Sequence, residues 1–166
     1  MRISYTVKSL IQRALAEDLG HGDVTTGSLI PEHIDGVGHI IAKEPGVIAG
    51  VHVVAEVFRQ MDYELATTVH ITDGLTVKPG DLVATVHGDI RSILTGERVA
   101  LNFLQRLSGI ASETSKYVDA VNGTNARIVD TRKTTPGLRD LEKYAILTGG
   151  GYNHRHNLSD GVLIKD

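Results

Sequence analysis

Basic side chains are concentrated in the last third of the chain, although the whole chain carries a net charge of -3 at pH 7. They are Arg132, Lys133, His154, Arg155 and Lys165. Arginine offers a planar fork that binds a carboxylate or phosphate through two contacts, lysine offers a compact charge, and histidine donates to a carboxylate when a neighbour orients it. Such groups repel one another unless an anion, or acidic residues that this chain does not include, balance them. The pattern therefore predicts a pocket for a small, multiply charged anion.

The elements that would position these cations are indicated by the residues around them. Ala126–Thr131 is a short β-rich run, Leu138–Leu147 is typical of a helix, and Val162–Lys165 begins another apolar run. Strand, loop, helix and strand over about forty residues indicate a βαβ unit with parallel strands. The carboxyl ends of neighbouring parallel strands share one edge and lie about 5 Å apart, so the cations can converge there.

Several of these residues also have simpler explanations. Taken singly, Arg132, Lys133 and Arg155 could be solvated loop charges. His154 and His156 would share one face of a strand and could hold a metal ion, but no further histidine or carboxylate stands at a suitable ligand spacing.

Two other features are ambiguous from the sequence alone. Gly149–Gly151 weakly resembles a phosphate cradle, but it lacks the spacing of a dinucleotide or P-loop motif, which favours a helix terminator. Arg98 falls in the first turn of a long predicted helix, where a surface arginine paired with Glu97 or another nearby carboxylate would explain it.

The first two thirds of the chain mix helical and strand patterns. A long helix is predicted at Thr95–Val121, with Thr95 as its N-cap and Asn122-Gly123 at its end. The shorter predicted elements are helices at Val7–Leu19 and Val51–Met61, a turn region at Glu17–Thr26, and strands at Val37–Lys43, Leu65–Ile71 and Leu82–His87. The mixture predicts an α/β (α+β) sandwich-like domain over residues 1–112 and the start of a second domain over residues 113–166.

Composition excludes several classes of protein. Hydrophobic residues make up 41% and charged residues 22% of the chain, as in ordinary globular proteins. A pI near 6.2 argues against binding nucleic acid through a general positive field. The absence of cysteine excludes disulfides and thiolate catalysis and fits the cytoplasm. No stretch approaches the ~20 apolar residues that a membrane span requires, so no membrane partner is expected.

The motifs together resemble the quinolinate phosphoribosyltransferase family. They run in family order over nearly the whole chain, and the Thr-Arg-Lys-Thr-Thr-Pro-Gly run is the most specific of them. The matching stretches are Glu17–Thr26, Gly96–Asn102 with Leu107–Ala111, Asp130–Gly137, Leu141–Ala145, and Asn153–Arg155 through Leu163–Asp166.

The resemblance implies a fold, an activity and an assembly. The fold is an N-terminal α/β sandwich followed by an α/β barrel of the type II phosphoribosyltransferase kind, of which this chain would hold only the beginning. The reaction converts quinolinate and phosphoribosyl pyrophosphate to nicotinate mononucleotide, pyrophosphate and carbon dioxide during de novo NAD synthesis. It requires Mg²⁺, whose ligands are expected beyond Asp166. Members form homodimers, with higher oligomers left open, in which one subunit's sandwich caps its partner's barrel.

The resemblance also implies roles for individual side chains. The residues that match substrate-binding positions are Arg98, Arg132, Lys133, Thr134, His154, Arg155 and Lys165. Arg132, His154 and Arg155 match the contacts to the two carboxylates of quinolinate. Lys133 and Lys165 match the catalytic positions, and Arg98 matches an arginine donated across the dimer interface.

Two rival functions and one expectation accompany this assignment. The first rival is a related protein of molybdate-transport gene clusters, which shares the architecture. The second rival is a biotinyl- or lipoyl-type module, which would explain the turn pattern of Asp73–Ala84. Such a module needs an exposed lysine at a hairpin tip, which the sequence does not offer. Because the acidic and phosphate-binding elements of the family would follow Asp166, the 166-residue chain alone is expected to be inactive.

Overall fold

The computed structural model describes residues 3–164, and these residues form the mixture of helices and strands that the sequence predicts. The helices are α1 (Tyr5–Leu19), α2 (Val24–Leu29), α3 (Val51–Met61), α4 (Ile90–Ala120) and α5 (Arg139–Thr148). The strands are β1 (Asp35–Ile41), β2 (Gly46–Val47), β3 (Ala66–Val69), β4 (Thr76–Val77) and β5 (Leu82–Asp89). The α/β fold class is thereby confirmed. Within residues 3–164 no helix is both long and apolar enough to cross a membrane.

The central sheet is antiparallel, with strand order β1-β5-β3, and β2 pairs separately with β4. α3 and α4 pack together and against the sheet. Glycines in β1 permit the close approach of α4, since a Cβ atom at Gly38 would lie 3.1 Å from Cγ2 of Ile93. The valines of α3 that point inward, Val53, Val54 and Val57, are fully buried. Aliphatic side chains therefore supply most of the core, and each one buried contributes about 1.5–3 kcal/mol.

The long helix α4 begins at Ile90, so the prediction of Thr95 as its N-cap is wrong. Asp89 is the cap, and its Oδ2 accepts a hydrogen bond from the backbone N–H of Ser92 at 2.9 Å. Thr95 instead donates through Oγ1 to Oδ2 of Asp23 at 3.1 Å. The sequence pattern placed the start too late because β5 runs into α4 without a loop of its own.

A short helix also lies where the sequence predicts a turn. α2 starts at Val24, inside the predicted turn region Glu17–Thr26. The carboxylate of Asp23 accepts from the N–H of Thr26 at 2.9 Å and caps this helix. Six residues are too few to show a helical period, so only the cap could have indicated it.

α4 crosses the predicted boundary between residues 112 and 113 without interruption. The boundary therefore stays a prediction, and it falls inside one helix. Two serines of α4, at helical spacing, hold the β2 segment: Ser112 Oγ accepts from Val47 N at 2.8 Å, and Ser108 Oγ accepts from Ala49 N at 3.0 Å. After Ala120 the chain turns through Gly123, whose φ of 81° suits glycine.

The C-terminal segment contains the predicted parallel pairing, but with a different partner. Val129 forms a parallel bridge with Tyr152, and α5 is the connection between them. The prediction that the run Val162–Lys165 is the next strand is wrong for its described part. Residues 162–164 form no strand, and Val162 is 92% exposed. An apolar run becomes a strand only when it can form backbone hydrogen bonds with a neighbouring strand. The described residues provide no such strand beside residues 162–164.

A hydrogen bond joins α5 to the sandwich-like part of the fold. Oδ1 of Asp73 accepts from the N–H groups of Gly50 and Val51, which begin α3, at 2.8 and 3.0 Å. Its other oxygen accepts from the hydroxyl of Tyr144. Burial raises the pKa of Tyr144 to about 12, and the contact with Asp73 adds to the rise. One carboxylate therefore caps a helix of the sandwich and anchors the helix that follows it.

We expect Tyr144→Phe to lower the free energy of unfolding by about 1–3 kcal/mol, because Asp73 loses a donor. Chemical denaturation at pH 7 measures this change. Because the raised pKa of Tyr144 favours the neutral phenol in the folded state, the contribution is complete below pH about 10 and is lost as the pH rises through about 12. The difference between wild type and variant should therefore shrink in that range. Tyr5→Phe, at a side chain 87% exposed, is the control; equal losses in both variants would contradict the anchoring role.

Candidate functional site

The two predicted cationic segments lie side by side. The backbone N–H of Tyr152 donates to the carbonyl of Ile128 at 2.9 Å, and the N–H of Asp130 donates to the carbonyl of Tyr152 at 3.0 Å. This short parallel pairing places the start of the Asp130–Gly137 loop next to the segment that carries His154 and Arg155. The two segments therefore adjoin at a single parallel bridge, and the convergence of their cationic side chains stays a prediction.

A buried ion pair joins the two segments. Nζ of Lys143, on α5, lies 2.6 Å from Oδ1 of Asp130, and the two side chains are only 3% and 5% exposed. Oδ1 of Asp130 also accepts from the backbone N–H of His154 at 2.8 Å, while Lys143 donates to the carbonyl of His154 at 3.0 Å. With its amide nitrogen turned toward Asp130, Asn153 donates to Oδ2 at 2.6 Å. Every charge in this cluster is thus paired and hydrogen-bonded.

Arg139, at the start of α5, makes a second connection between the segments. Its Nε donates to Oγ1 of Thr134 at 3.1 Å, and one terminal nitrogen donates to the carbonyl of Arg132 at 3.4 Å. The other terminal nitrogen donates to the carbonyl of His156 at 3.3 Å. The five donors of a guanidinium suit this bridging role. Arg139 therefore acts on the shape of the site through backbone and hydroxyl contacts.

The far side of the loop is held against α4. Glu142 accepts from the N–H of Thr135 at 3.1 Å, and Arg106 of α4 donates both to Glu142 and to the hydroxyl of Thr135. Burial by itself would raise the pKa of Glu142, but the hydrogen bonds from Arg106 and Thr135 outweigh it and lower the pKa. The contribution of Glu142 to stability is therefore present above its unfolded pKa and is lost as the pH falls through the lower, folded value.

The predicted substrate-binding cations that the structure describes form no ion pairs with carboxylates of the described residues. Within residues 3–164, no ion pair is formed by Arg132, Lys133 or Arg155, and the ring of His154 makes no hydrogen bond. Nε of Arg132 is buried and has no hydrogen-bond partner in the same part of the chain. A buried unpaired donor costs about 1–3 kcal/mol, so the site fits an anionic ligand that would satisfy it.

The other predicted site residues differ in position. Thr134 belongs to the loop and is bound by Arg139. Arg98 is exposed on α4, about 12 Å along the helix from Arg106 at 1.5 Å per residue, and it forms no ion pair within residues 3–164. The structure therefore does not join Arg98 to this cluster in one chain. Lys165 lies outside the described residues.

Two alternative explanations are resolved by local packing. Nε2 of His156 lies 2.8 Å from Oδ1 of Asp140, so this histidine is engaged by α5 and not by His154. In residues 3–164 no three histidines or carboxylates are grouped so that they could hold a metal ion. Gly149 ends α5 against α4, where a Cβ atom would lie 2.3 Å from the carbonyl oxygen of Ala111. The glycine run is therefore a helix terminator that allows close packing.

We expect Gly149→Ala to destabilise the chain by about 1–3 kcal/mol, because the added methyl group must displace the backbone of α4. Gly27→Ala is the matched control, since its Cβ atom would meet nothing within 4 Å and its position lies in a helix. Replacing that glycine should stabilise by up to about 1 kcal/mol. Thermal unfolding followed by circular dichroism measures both changes, and a neutral Gly149→Ala would contradict the packing role.

A large surface cleft lies away from this cluster. It measures about 960 Å³ and lies at the edge of the sheet between β1, β3 and β5. The acidic residues that line it are Glu32, Asp35, Asp62, Glu64 and Asp89. Such a lining would repel a small, multiply charged anion, which is the ligand that the basic residues predict. The candidate site is therefore identified by the charge of its residues and not by the size of the cleft.

The sequence analysis missed the residues that hold the site together. They are Arg106, Arg139, Glu142, Lys143 and Asn153. A signal was present for two of them, because Arg139 and Lys143 stand four apart in a predicted helix and therefore share a face. No pattern within the helix indicates that this face meets Asp130 and Thr134, because that contact is made between segments distant in the sequence.

The fold and the site define a class before any comparison is made. A helix-packed antiparallel sheet is followed by the first parallel βα step of a second unit, and cations without acidic partners gather after its strands. This is an α/β protein in which two adjoining segments carry the predicted cationic side chains.

Comparisons with known proteins give the family. The family description "Quinolinate phosphoribosyl transferase, N-terminal domain" matches residues 23–108, and the corresponding C-terminal domain matches residues 110–166. The chain belongs to the quinolinate phosphoribosyltransferase family. NadC from Streptococcus pyogenes, a solved structure, is 46% identical and superposes with a TM-score of 0.94, covering 98% of this chain and 59% of its own. The predicted start of a barrel after the sandwich is thereby supported.

Two curated relatives show the same similarity. One is a probable nicotinate-nucleotide pyrophosphorylase [carboxylating] from Bacillus subtilis, 44% identical over 96% of this chain and 55% of its own length. Another is quinolinate phosphoribosyltransferase [decarboxylating] 2a, mitochondrial, from Nicotiana tabacum, 44% identical over 98% of this chain and 46% of its own length. The chain thus spans about half the length of the curated relatives it matches.

Proposed function

We propose that this chain supplies the quinolinate-binding part of a quinolinate phosphoribosyltransferase, which forms nicotinate mononucleotide, pyrophosphate and carbon dioxide from quinolinate and phosphoribosyl pyrophosphate. The observation that carries the proposal is the set of cations without acidic partners on two adjoining segments: Arg132, Lys133, His154 and Arg155. The names of the relatives agree with this substrate.

The chemistry of quinolinate matches these groups. The molecule carries two carboxylates on neighbouring carbons of a pyridine ring, so it needs two cationic contacts that are close together. Arg132 and Arg155 offer guanidinium forks, and His154 offers a ring nitrogen between the two segments. Binding would give the buried Nε of Arg132 the acceptor that it lacks within the described residues.

The reaction that we propose has two parts. The ring nitrogen of quinolinate attacks the anomeric carbon of phosphoribosyl pyrophosphate as pyrophosphate leaves, and the pyridine ring becomes positively charged. The carboxylate next to that nitrogen is then lost as carbon dioxide, because the positive nitrogen stabilises the electron pair left on the ring carbon. That carbon takes up a proton from water, which gives nicotinate mononucleotide. Lys133 would offset negative charge on the phosphorylated sugar or the carboxylate, and Lys165 is proposed as the second catalytic lysine.

Three further aspects of the proposal concern the whole protein. Mg²⁺ is proposed as the cofactor, but the described residues hold no ligand cluster for it, so no step is assigned to the metal. The protein is proposed to act as a homodimer, with a higher oligomer left open, in which the exposed Arg98 is donated to the partner's site. A cytoplasmic location is proposed, and fluorescence microscopy of a tagged protein would test it.

Arg132→Ala should weaken quinolinate binding by at least about tenfold, because a charge-assisted contact to a carboxylate is lost. Isothermal titration of the chain with quinolinate measures the dissociation constant. Arg13→Ala removes the same charge from an exposed position on α1 and should leave binding unchanged. Equal affinity of Arg132→Ala and wild type would refute the carboxylate role.

The 166-residue chain by itself should convert quinolinate and phosphoribosyl pyrophosphate to product at a negligible rate, because residues 3–164 group no histidines or carboxylates that could hold Mg²⁺. An assay for nicotinate mononucleotide measures turnover, with a full-length member of the family as the positive control. Appreciable product from the chain alone would contradict this expectation.

The two rival functions make different predictions. A protein related to molybdate transport would share the fold and fail to turn over these substrates in its full-length form. A biotinyl or lipoyl module would need a modified lysine, and Lys78 is the exposed lysine in the relevant turn. The strands on either side of that turn, β4 and β5, pair with different partners, so no hairpin presents Lys78 for attachment. Mass spectrometry of the purified chain would detect such a modification.

A further inference from the structure

The ion pair of Asp130 and Lys143 holds the backbone of one residue, His154, at both its N–H and its carbonyl. The carboxylate of Asp130 accepts from the N–H of His154 at 2.8 Å, and the ammonium of Lys143 donates to the carbonyl of His154 at 3.0 Å. His154 itself is exposed, whereas the two charged side chains are almost completely buried. The backbone of an exposed site residue is therefore fixed by a buried pair of charges.

Stability alone is a weak explanation for such a pair. Removing two charges from water is costly, and apolar residues of similar volume often stabilise a fold as well or better. The pair instead fixes the position of the His154 backbone. Asp130 begins the loop that carries Arg132, and His154 begins the opposite segment, so the distance between these segments depends on the contact.

A second residue of α5, one helical turn before Lys143, also holds the two cationic segments in place. Arg139, four residues before Lys143, binds the carbonyl of Arg132 and the hydroxyl of Thr134. One face of α5 therefore contacts the backbone of both cationic segments. The side chains of Arg132 and His154 remain available, because these bonds use main-chain atoms.

We propose that Lys143, through its ion pair with Asp130, is a positioning residue that sets the separation of Arg132 and His154 and so selects a ligand with two adjacent carboxylates. This inference rests on the proposed function and adds the origin of its specificity. Lys143 does not touch the ligand. Its loss should reduce the preference for quinolinate over nicotinate, which has the same ring and only one carboxylate.

Two variants test the proposal. Lys143→Met removes the ammonium at similar length but leaves Asp130 buried without its partner, which can itself impair folding. The double variant Asp130→Asn/Lys143→Met removes both charges and retains an acceptor for the N–H of His154. In each folded variant, the ratio of nicotinate to quinolinate dissociation constants should fall by about tenfold or more, because small displacements of a binding group are costly.

The control is Glu56→Gln, which disrupts the ion pair between the buried Glu56 and the exposed Arg59 on α3, away from the site. It should lower stability and leave the ratio of dissociation constants unchanged. If Lys143 had a purely structural role, its variants would also lower stability and leave the ratio of dissociation constants unchanged. A smaller folded fraction weakens the apparent binding of both ligands equally. The proposal is overturned if the folded double variant retains the wild-type ratio.

Backbone amide exchange, measured by NMR without ligand, gives a second readout. Exchange at His154 should become at least about tenfold faster in Lys143→Met, while exchange in the buried helix α3 stays unchanged. Unchanged exchange at His154 overturns the proposal. If the wild-type chain binds neither quinolinate nor nicotinate, the proposed function is contradicted, and the exchange rate still decides whether the ion pair positions His154.

Discussion

The C-terminal part of the structure depends on one buried contact, the ion pair between Asp130 and Lys143. The parallel pairing beside it consists of a single bridge, which is too short to fix two segments by itself. The charges add three hydrogen bonds that involve Asp130, Lys143 and the backbone of His154. Because the pair is shielded from water, its electrostatic attraction is stronger than that of an exposed pair, and so is the cost of losing either partner.

α5 distributes this constraint to the rest of the fold. Consecutive residues of this helix point in different directions: Glu142 toward the loop and α4, Lys143 toward the two cationic segments, and Tyr144 toward Asp73. The helix thus links the site to the sandwich through contacts made on each side of it. A change in the packing of α5 would be transmitted both to the loop of Arg132 and to the cap of α3, since Asp73 serves both elements.

The contrast between paired and unpaired cations distinguishes structural from ligand-binding roles. Lys143, Arg106 and Arg139 are occupied by carboxylates, carbonyls or hydroxyls of the chain. Arg132 and Arg155 have no carboxylate partner within residues 3–164, although they lie on the same segments. Cations placed this way repel one another, and the arrangement is favourable when an anion is bound between them.

Much of the secondary structure could be predicted from the sequence because its signals are local. α3 was predicted with its observed bounds, and α5 within one residue at each end, since apolar spacing defines both helices and Gly149 ends α5. The start of α4 was missed because β5 leads directly into it, and α2 was missed because six residues do not reveal a period. Val162–Lys165 was assigned as a strand from its composition, whereas strand formation requires a hydrogen-bonding neighbour.

The sequence by itself determined the family, the types of the side chains proposed to bind the ligand and their order along the chain, because motifs such as Thr-Arg-Lys-Thr-Thr-Pro-Gly are contiguous. The tertiary structure alone decided which cations are free and which are occupied. Lys133 and Lys143 look equally available in the sequence, yet one is exposed and the other is 2% exposed in contact with Asp130. The physical reason is that burial and pairing arise between residues distant in the sequence, where the cost of removing a charge from water must be met by a partner that only the fold brings close.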